Sequence, residues 1–287
     1  MKSIAFIFSL FLTLSVSGQT KTGDFHLDKE YAIGLTGTIN LKSSDADVFI
    51  SGSGRKNAHV KIDRVVTTKG VTFGEAEFAV DIVAENGNLD IRERSNSRSV
   101  GVVGYLEEKY KIVIDVPEGT SLVVRGDDGD YRIWNIDGAI SLELDDADVE
   151  LTQCSGTKFE FRMDDGDIRM DEGKGSLQIT GDDSDVEIKN GNFTSLDAKI
   201  DDGDLILETS LADNGVYSID AQDGLIFLVI TKGGGKFDIR HDDGRVATEG
   251  DFSTVEKSDD MTKLSLANGN ATVNIRADDA RIRLIKK

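Results

Sequence analysis

An acidic four-residue motif recurs along the chain at nearly constant spacing. Asp127-Asp128-Gly129-Asp130 is followed by Asp145-Asp146-Ala147-Asp148, Asp164-Asp165-Gly166-Asp167, Asp182-Asp183-Ser184-Asp185 and Asp201-Asp202-Gly203-Asp204. Degenerate copies continue as Gln222-Asp223-Gly224-Leu225 and Asp242-Asp243-Gly244-Arg245. Weaker relatives stand at Ser44-Asp45-Ala46-Asp47 and Asn268-Gly269-Asn270. Measured at the second position, the steps are 18, 19, 18, 19, 21 and 20 residues.

Three chemistries suit such a pattern. Asp caps local backbone groups and Gly accepts positive φ, so a corner repeated in every unit selects both for geometry alone. That is the leading expectation. Cation binding is the second. Stacked carboxylates about 4.8 Å apart repel by roughly 0.9 kcal/mol per pair even in water. Ca²⁺, which takes several carboxylate and carbonyl oxygens, relieves such crowding. The candidate ligands form two rows, Asp128, Asp146, Asp165, Asp183 and Asp202, and Asp130, Asp148, Asp167, Asp185 and Asp204. The spacing matches neither the EF-hand loop nor the Gly-rich calcium nonapeptide. Leu225 and Arg245 also replace the fourth Asp in the later copies. Apart from Ca²⁺, no cofactor is expected.

Catalysis is the third chemistry. Paired carboxylates serve as acid and base in carbohydrate-active β-helix enzymes. An active site is a single constellation, whereas these aspartates recur in nearly every unit. His241 precedes Asp242 without a placed nucleophile, and His26 and His59 have no partner visible in the sequence. Cys154 reads as an inert small residue in a loop, and Tyr131 and Trp134, able to stack on sugar, read as packing residues. The chain is therefore not expected to be an enzyme, and no catalytic residue is assigned.

The elements that position the corners are legible in the flanks. Leu142 and Leu144, Phe159 and Phe161, Leu177 and Ile179 alternate before corners; Val149 and Leu151, Ile168 and Met170, Val186 and Ile188 alternate after them. Period-two alternation over so few residues predicts half-buried strands, and no helical stripe competes. The fold class is all-β. Just after successive corners stand Arg132, Glu150, Arg169 and Glu187. In a parallel solenoid of one corner per coil these stack with alternating sign; in a meander an intervening strand separates them. A single-stranded parallel β-solenoid with coils of about 18–21 residues is the expected architecture. The small third corner position alternates Gly, Ala, Gly, Ser, Gly, which hints at a 37-residue super-period.

Residues 1–18 read as a signal peptide, with Lys2, a short apolar run to Leu14 and the small residues Ser15 to Gly18. No cysteine follows, so no lipobox is expected, and no later run is long enough for a transmembrane anchor. Export to periplasm, cell surface or medium is the expectation. Residues 19–120 form an irregular N-terminal part, with excursions around Thr67–Glu75 and Ser95–Glu108, and residues 121–287 carry the regular Asp-cornered repeats of one continuous domain. With 53 acidic against 33 basic residues among 287, and a net charge of -20, the chain has no basic surplus to release counterions from phosphates. Nucleic acid is excluded as a partner. One Cys excludes an internal disulfide and a Cys-based zinc site.

The run Tyr110-Lys111-Ile112-Val113-Ile114-Asp115-Val116-Pro117-Glu118-Gly119-Thr120-Ser121-Leu122, followed by Gly-Asp corners, resembles a bacterial family. It is the domain-of-unknown-function family of β-strand-repeat putative adhesins, akin to the head-GIN type. The resemblance covers nearly the whole chain beyond residue 18. It implies an exported envelope β-solenoid without established enzymatic activity, hence an adhesin-like binding or structural role. The partner is then an envelope protein or a glycan, and the oligomeric state is left open. The departure is the extra Asp pair opening each corner, where relatives carry Ser, Gly or Thr.

Overall fold

The structure, a computed structural model, describes residues 24–73, 76–97, 101–242 and 244–287. The apolar run read as a signal peptide lies outside the described residues, as does Asp243. Among the described residues there is no helix, and nineteen strands share one hydrogen-bonded sheet. The first seven are β1 (Phe25–Tyr31), β2 (Thr38–Lys42), β3 (Asp47–Ser53), β4 (Ala58–Phe73), β5 (Ala76–Glu85), β6 (Asn88–Ser97) and β7 (Gly101–Pro117). The next six are β8 (Ser121–Trp134), β9 (Ile140–Thr152), β10 (Lys158–Asp202), β11 (Leu205–Thr209), β12 (Val216–Ala221) and β13 (Leu225–Ile230). The last six are β14 (Gly235–His241), β15 (Arg245–Glu249), β16 (Phe252–Lys257), β17 (Met261–Leu266), β18 (Ala271–Ala277) and β19 (Arg281–Lys286).

The middle of the chain coils as its spacing requires. β8 and β9 are parallel, with Leu122 opposite Ile140 and Ile133 opposite Leu151, an offset of 18 residues. β9 and β10 are parallel with Phe159 opposite Ile140 and Met170 opposite Leu151, an offset of 19. The alternating apolar residues all point inward, so Leu122, Ile140 and Phe159 stack in one column and Ile133, Leu151 and Met170 in another, all buried. Each such side chain contributes about 1.5–3 kcal/mol on burial, and stacking joins the coils into one core. Strand conformation continues through the corners at Asp164–Asp167 and Asp182–Asp185, so β10 runs for 45 residues before it ends at the next corner. Arg132 faces Glu150, and Glu150 faces Arg169, as the charge alternation predicted.

Both ends depart from the expected single parallel solenoid. The stacking order is permuted. β18 lies between β12 and β14, and β19 between β13 and β15. The physical reason is burial: β19 buries Ile282 and Leu284, whereas β15 offers only a half-buried Val246 and sits outside it. At the other end β2 lies between β6 and β8, and β3 between β7 and β8, so the apolar unit with Ile39, Leu41, Val48 and Ile50 is interior. The sheet is also mixed. β1–β4–β7 and β5–β6 pair antiparallel at one end, and β14–β17–β16 at the other. A terminal coil has no further coil to cover it, and a hairpin supplies that cover with a short turn.

The two expected excursions are themselves strands in their described parts. β4 follows β7 as far as Phe73 opposite Gly101, so the two segments pair with each other along one ribbon. Phe78 of β5 packs edge-on to Phe25 and Tyr110, at 5.5 and 5.3 Å between ring centroids, which closes this end of the core. The edge strands β1, β5, β15 and β16 carry charges such as Asp28, Lys29, Asp81, Glu249 and Glu256, a composition that discourages edge-to-edge pairing with other chains.

Candidate functional site

The corners place the expected aspartates in rows, with Asp128 opposite Asp146, Asp146 opposite Asp165, and Asp130 opposite Asp148. At three of the five corners the fourth position is a backbone acceptor. The Asp148 carboxylate accepts the Asp167 N–H at 3.1 Å, Asp185 accepts that of Asp204 at 2.8 Å, and Asp204 accepts that of Leu225 at 3.0 Å. Asp130 and Asp167 are instead bound by Arg132 and Arg169. The link thus continues at Leu225, because it needs only a backbone N–H from the later coil.

The first and second positions stay outside and crowd. Asp145 is raised above the ordinary carboxylate range by desolvation, then by Asp127 and Asp164. Asp165 is raised chiefly by its hydrogen bond with Asp146, then by desolvation. Asp182 is raised by desolvation, then by Asp183, Asp201, Asp164 and Asp202. Among the described residues, no group of three or more His, Cys, Asp or Glu side chains is placed to hold a metal ion.

The alternating third position reflects two corner conformations and not a longer coil. Gly129 and Gly166 have φ of 118° and 103°, and a Cβ there would lie 2.3 and 2.2 Å from the carbonyl oxygens of Ala46 and Ala147. Ala46, Ala147 and Ser184, the alternates, turn inward and are buried. The weak relative Ser44–Asp47 is therefore a true corner, stacked beside Asp127–Asp130 across a long sequence gap. Asn268-Gly269-Asn270 is not a corner; Gly269 packs against the Gly234 backbone. The corner that sequence reasoning missed is Asp278-Asp279-Ala280-Arg281, whose Asp279 and Arg281 N–H groups donate to the carbonyls of Gln222 and Gly224. Its Asp-Asp-small pattern was the available signal.

The histidines find partners across strands. His59 Nε2 lies 2.7 Å from Asp28 and Nδ1 3.3 Å from Asp115, and these bonds, Asp28 first, raise its pKa. His26 lies 3.1 Å from Asp63 and holds that carboxylate below its usual range. His241 Nε2 is 3.4 Å from Thr262 Oγ1. Cys154 is fully buried and its thiol is pushed up to about 11 by desolvation, so it is not a poised nucleophile.

Of the two aromatics noted in the sequence, Tyr131 is buried and Trp134 is 51% exposed. Trp134 stands on the outer face after the corner, between Ser51 and Thr152 of its neighbouring strands. One step along, half-buried Phe49 lies opposite Arg132. Lys111 Nζ sits 4.2 Å and Arg132 Cζ 5.1 Å from the Phe49 ring centre. Phe49, Val113, Arg132, Trp134, Glu150 and Thr152 line a shallow groove of about 290 Å³. Phe49 was not singled out in the sequence, because nothing local distinguishes it from a core residue and its neighbours come from distant segments.

The run read as Val-Pro-Glu-Gly forms the turn from β7 to β8, with the Thr120 N–H donating to Pro117 O at 3.0 Å. A family model described as Toastrack DUF4097 matches residues 36–284. No curated protein matches the chain. Among solved structures, a "putative adhesin" from Bacteroides fragilis is similar over 91% of this chain and 97% of its own, at 13% identity and a TM-score of 0.47. A "putative adhesin" from Parabacteroides distasonis gives 94% and 97%, 11% identity and 0.45. A "putative lipid binding protein" from the same organism gives 94% and 96%, 14% identity and 0.36. No helix of the described residues is long and apolar enough to cross a membrane.

Proposed function

The chain belongs to the Toastrack DUF4097 family, and we propose that it is an exported, non-catalytic β-solenoid that binds a partner at the bacterial envelope through its outer strand faces. The observation that carries this reading is the use of side chains on the outside of the stack. Asp148, Asp185 and Asp204 at the fourth corner position serve the backbone of the next coil, while Trp134 leaves half its area to solvent. Glycosidase chemistry needs one carboxylate pair set about 5–9.5 Å apart around a substrate. A row of equivalent corners provides no unique pair. On this reading the partner is an envelope protein or a glycan, the mixed strands are end caps, and residues 1–18 are removed on export.

Fractionation of cells expressing the full chain tests it. The expected result is recovery from the envelope or the medium, with a new N-terminus after Gly18 by mass spectrometry, and binding of the purified protein to intact cells. Retention in the cytoplasm with Met1 in place overturns the reading.

A further inference from the structure

We propose that the groove over β3, β8 and β9 is a binding site for an uncharged glycan, with Trp134 as the stacking platform. The inference rests on the binding role proposed above and gives that role a site and a ligand class.

The main chain excludes the commonest alternative. β3 is paired on both sides by β7 and β8, β8 by β3 and β9, and β9 by β8 and β10. No backbone edge is free there, so a peptide cannot add as a strand. Any ligand must lie flat across the side chains. The groove offers an exposed indole, whose free face suits the C–H face of a pyranose, beside a half-buried phenyl ring that Lys111 and Arg132 already cover and that serves as its wall. Polar groups surround the rings with unused capacity. The Trp134 indole N–H and the Thr152 hydroxyl make no hydrogen bond to a described residue, and Ser51 Oγ, which donates to Asp115 at 2.7 Å, still has lone pairs to accept with. These groups lie on adjacent strands about 4.8 Å apart, a spacing that matches hydroxyls across one sugar ring.

Charge selects a neutral ligand. The groove's cations are already engaged: Arg132 reaches Asp130 at 3.1 Å and Glu150 at 3.8 Å, and Lys111 sits on the Phe49 ring. A polyanion would gain little from them and would meet a chain of net charge -20. A volume of about 290 Å³ lies just below the ~300–1,000 Å³ of small-molecule pockets, enough for a sugar residue or two of a longer chain.

Trp134 is the one tryptophan of the sequence, so its emission reports on this groove alone. The purified full chain is titrated with cellohexaose, maltohexaose, mannohexaose and chitohexaose, and with polygalacturonate as the anionic control. At least one neutral hexasaccharide is expected to shift and quench the emission to saturation. In calorimetry, Trp134→Ala should weaken that binding about tenfold or more, the scale set by truncating an aromatic anchor. Phe49→Ala should weaken it less, and Glu143→Gln, exposed on the run of β9 before the corner and outside the groove lining, should leave it unchanged. Because Trp134 is exposed, the variant should keep its strand circular dichroism; Trp134→Phe, which retains a stacking ring, should recover part of the affinity. The site is overturned if no neutral glycan moves the emission, if binding survives Trp134→Ala, or if polygalacturonate binds more tightly. Those failures leave envelope binding standing, whereas cytoplasmic retention removes the binding role itself.

Discussion

The corner aspartates look equivalent in the sequence and have divided labour in the structure. At Asp148, Asp185 and Asp204 the fourth-position carboxylate is an acceptor in the inter-coil ladder, so what matters there is its oxygen and not its charge, whereas Asp130 and Asp167 pair with Arg132 and Arg169. Asp204→Ala strands the Leu225 N–H and should cost about 1 kcal/mol, while Asp204→Asn keeps an acceptor and should cost at most a few tenths. Asp165→Asn, at a crowded position whose pKa is raised, should instead raise the melting temperature. Equal losses from Asp204→Ala and Asp204→Asn would sink the distinction. His59 gives a second prediction. Its folded pKa lies above the unfolded value of about 6.5, so the bonds to Asp28 and Asp115 stabilise fully below that value and fade as pH rises through the folded pKa. The melting-temperature difference between the native chain and His59→Gln should be largest near about pH 5.5 and shrink toward about pH 8.5. A difference that grows with pH contradicts this.

At the scale of elements, the permuted stacking has the sharpest consequence. Ser218 of β12 lies opposite Asn274 of β18, and Asn274 lies opposite Asp238 of β14. In a stack that followed sequence order, Ser218 would face Asp238 directly. Strand neighbours fall within the 4.4–6.8 Å Cα separation that a disulfide spans, and residues two strands apart do not. Ser218→Cys with Asn274→Cys should therefore cross-link under mild oxidation, and Ser218→Cys with Asp238→Cys should not. Cys154, being buried, will not compete. The reverse pattern, read by non-reducing mass spectrometry of proteolytic fragments, would restore sequence order to the stack.

For the whole molecule, the acidic surface sets how stability responds to ions. Folding gathers Asp145, Asp165 and Asp182 with their neighbours into one crowded ridge, and screening should relieve it. The melting temperature should rise with NaCl. At matched ionic strength CaCl₂ should do no more, because Asp148, Asp185 and Asp204 serve the backbone, Asp130 and Asp167 pair with arginines, and no three-ligand group converges among the described residues. A calcium-specific increment that Asp145→Asn and Asp165→Asn together abolish would show that the ridge binds the ion.

Strand class, coil length and the Arg132–Glu150–Arg169 column were all legible in the sequence, because each depends on contacts repeated every 18 or 19 residues. Turn chemistry and period-two alternation act within a few residues, and a repeat prints them many times over. The order of the coils is another matter. Which unit covers which depends on comparing the apolar content of β15 with that of β19, and of the β2–β3 unit with the strands that cap it. That comparison is made only when the chain has collapsed and each core end needs a lid. The groove has the same origin. Phe49 and Trp134 are far apart in the chain, and only the insertion of β3 between β7 and β8 sets them on one surface, with backbone edges closed and side chains left to face the solvent.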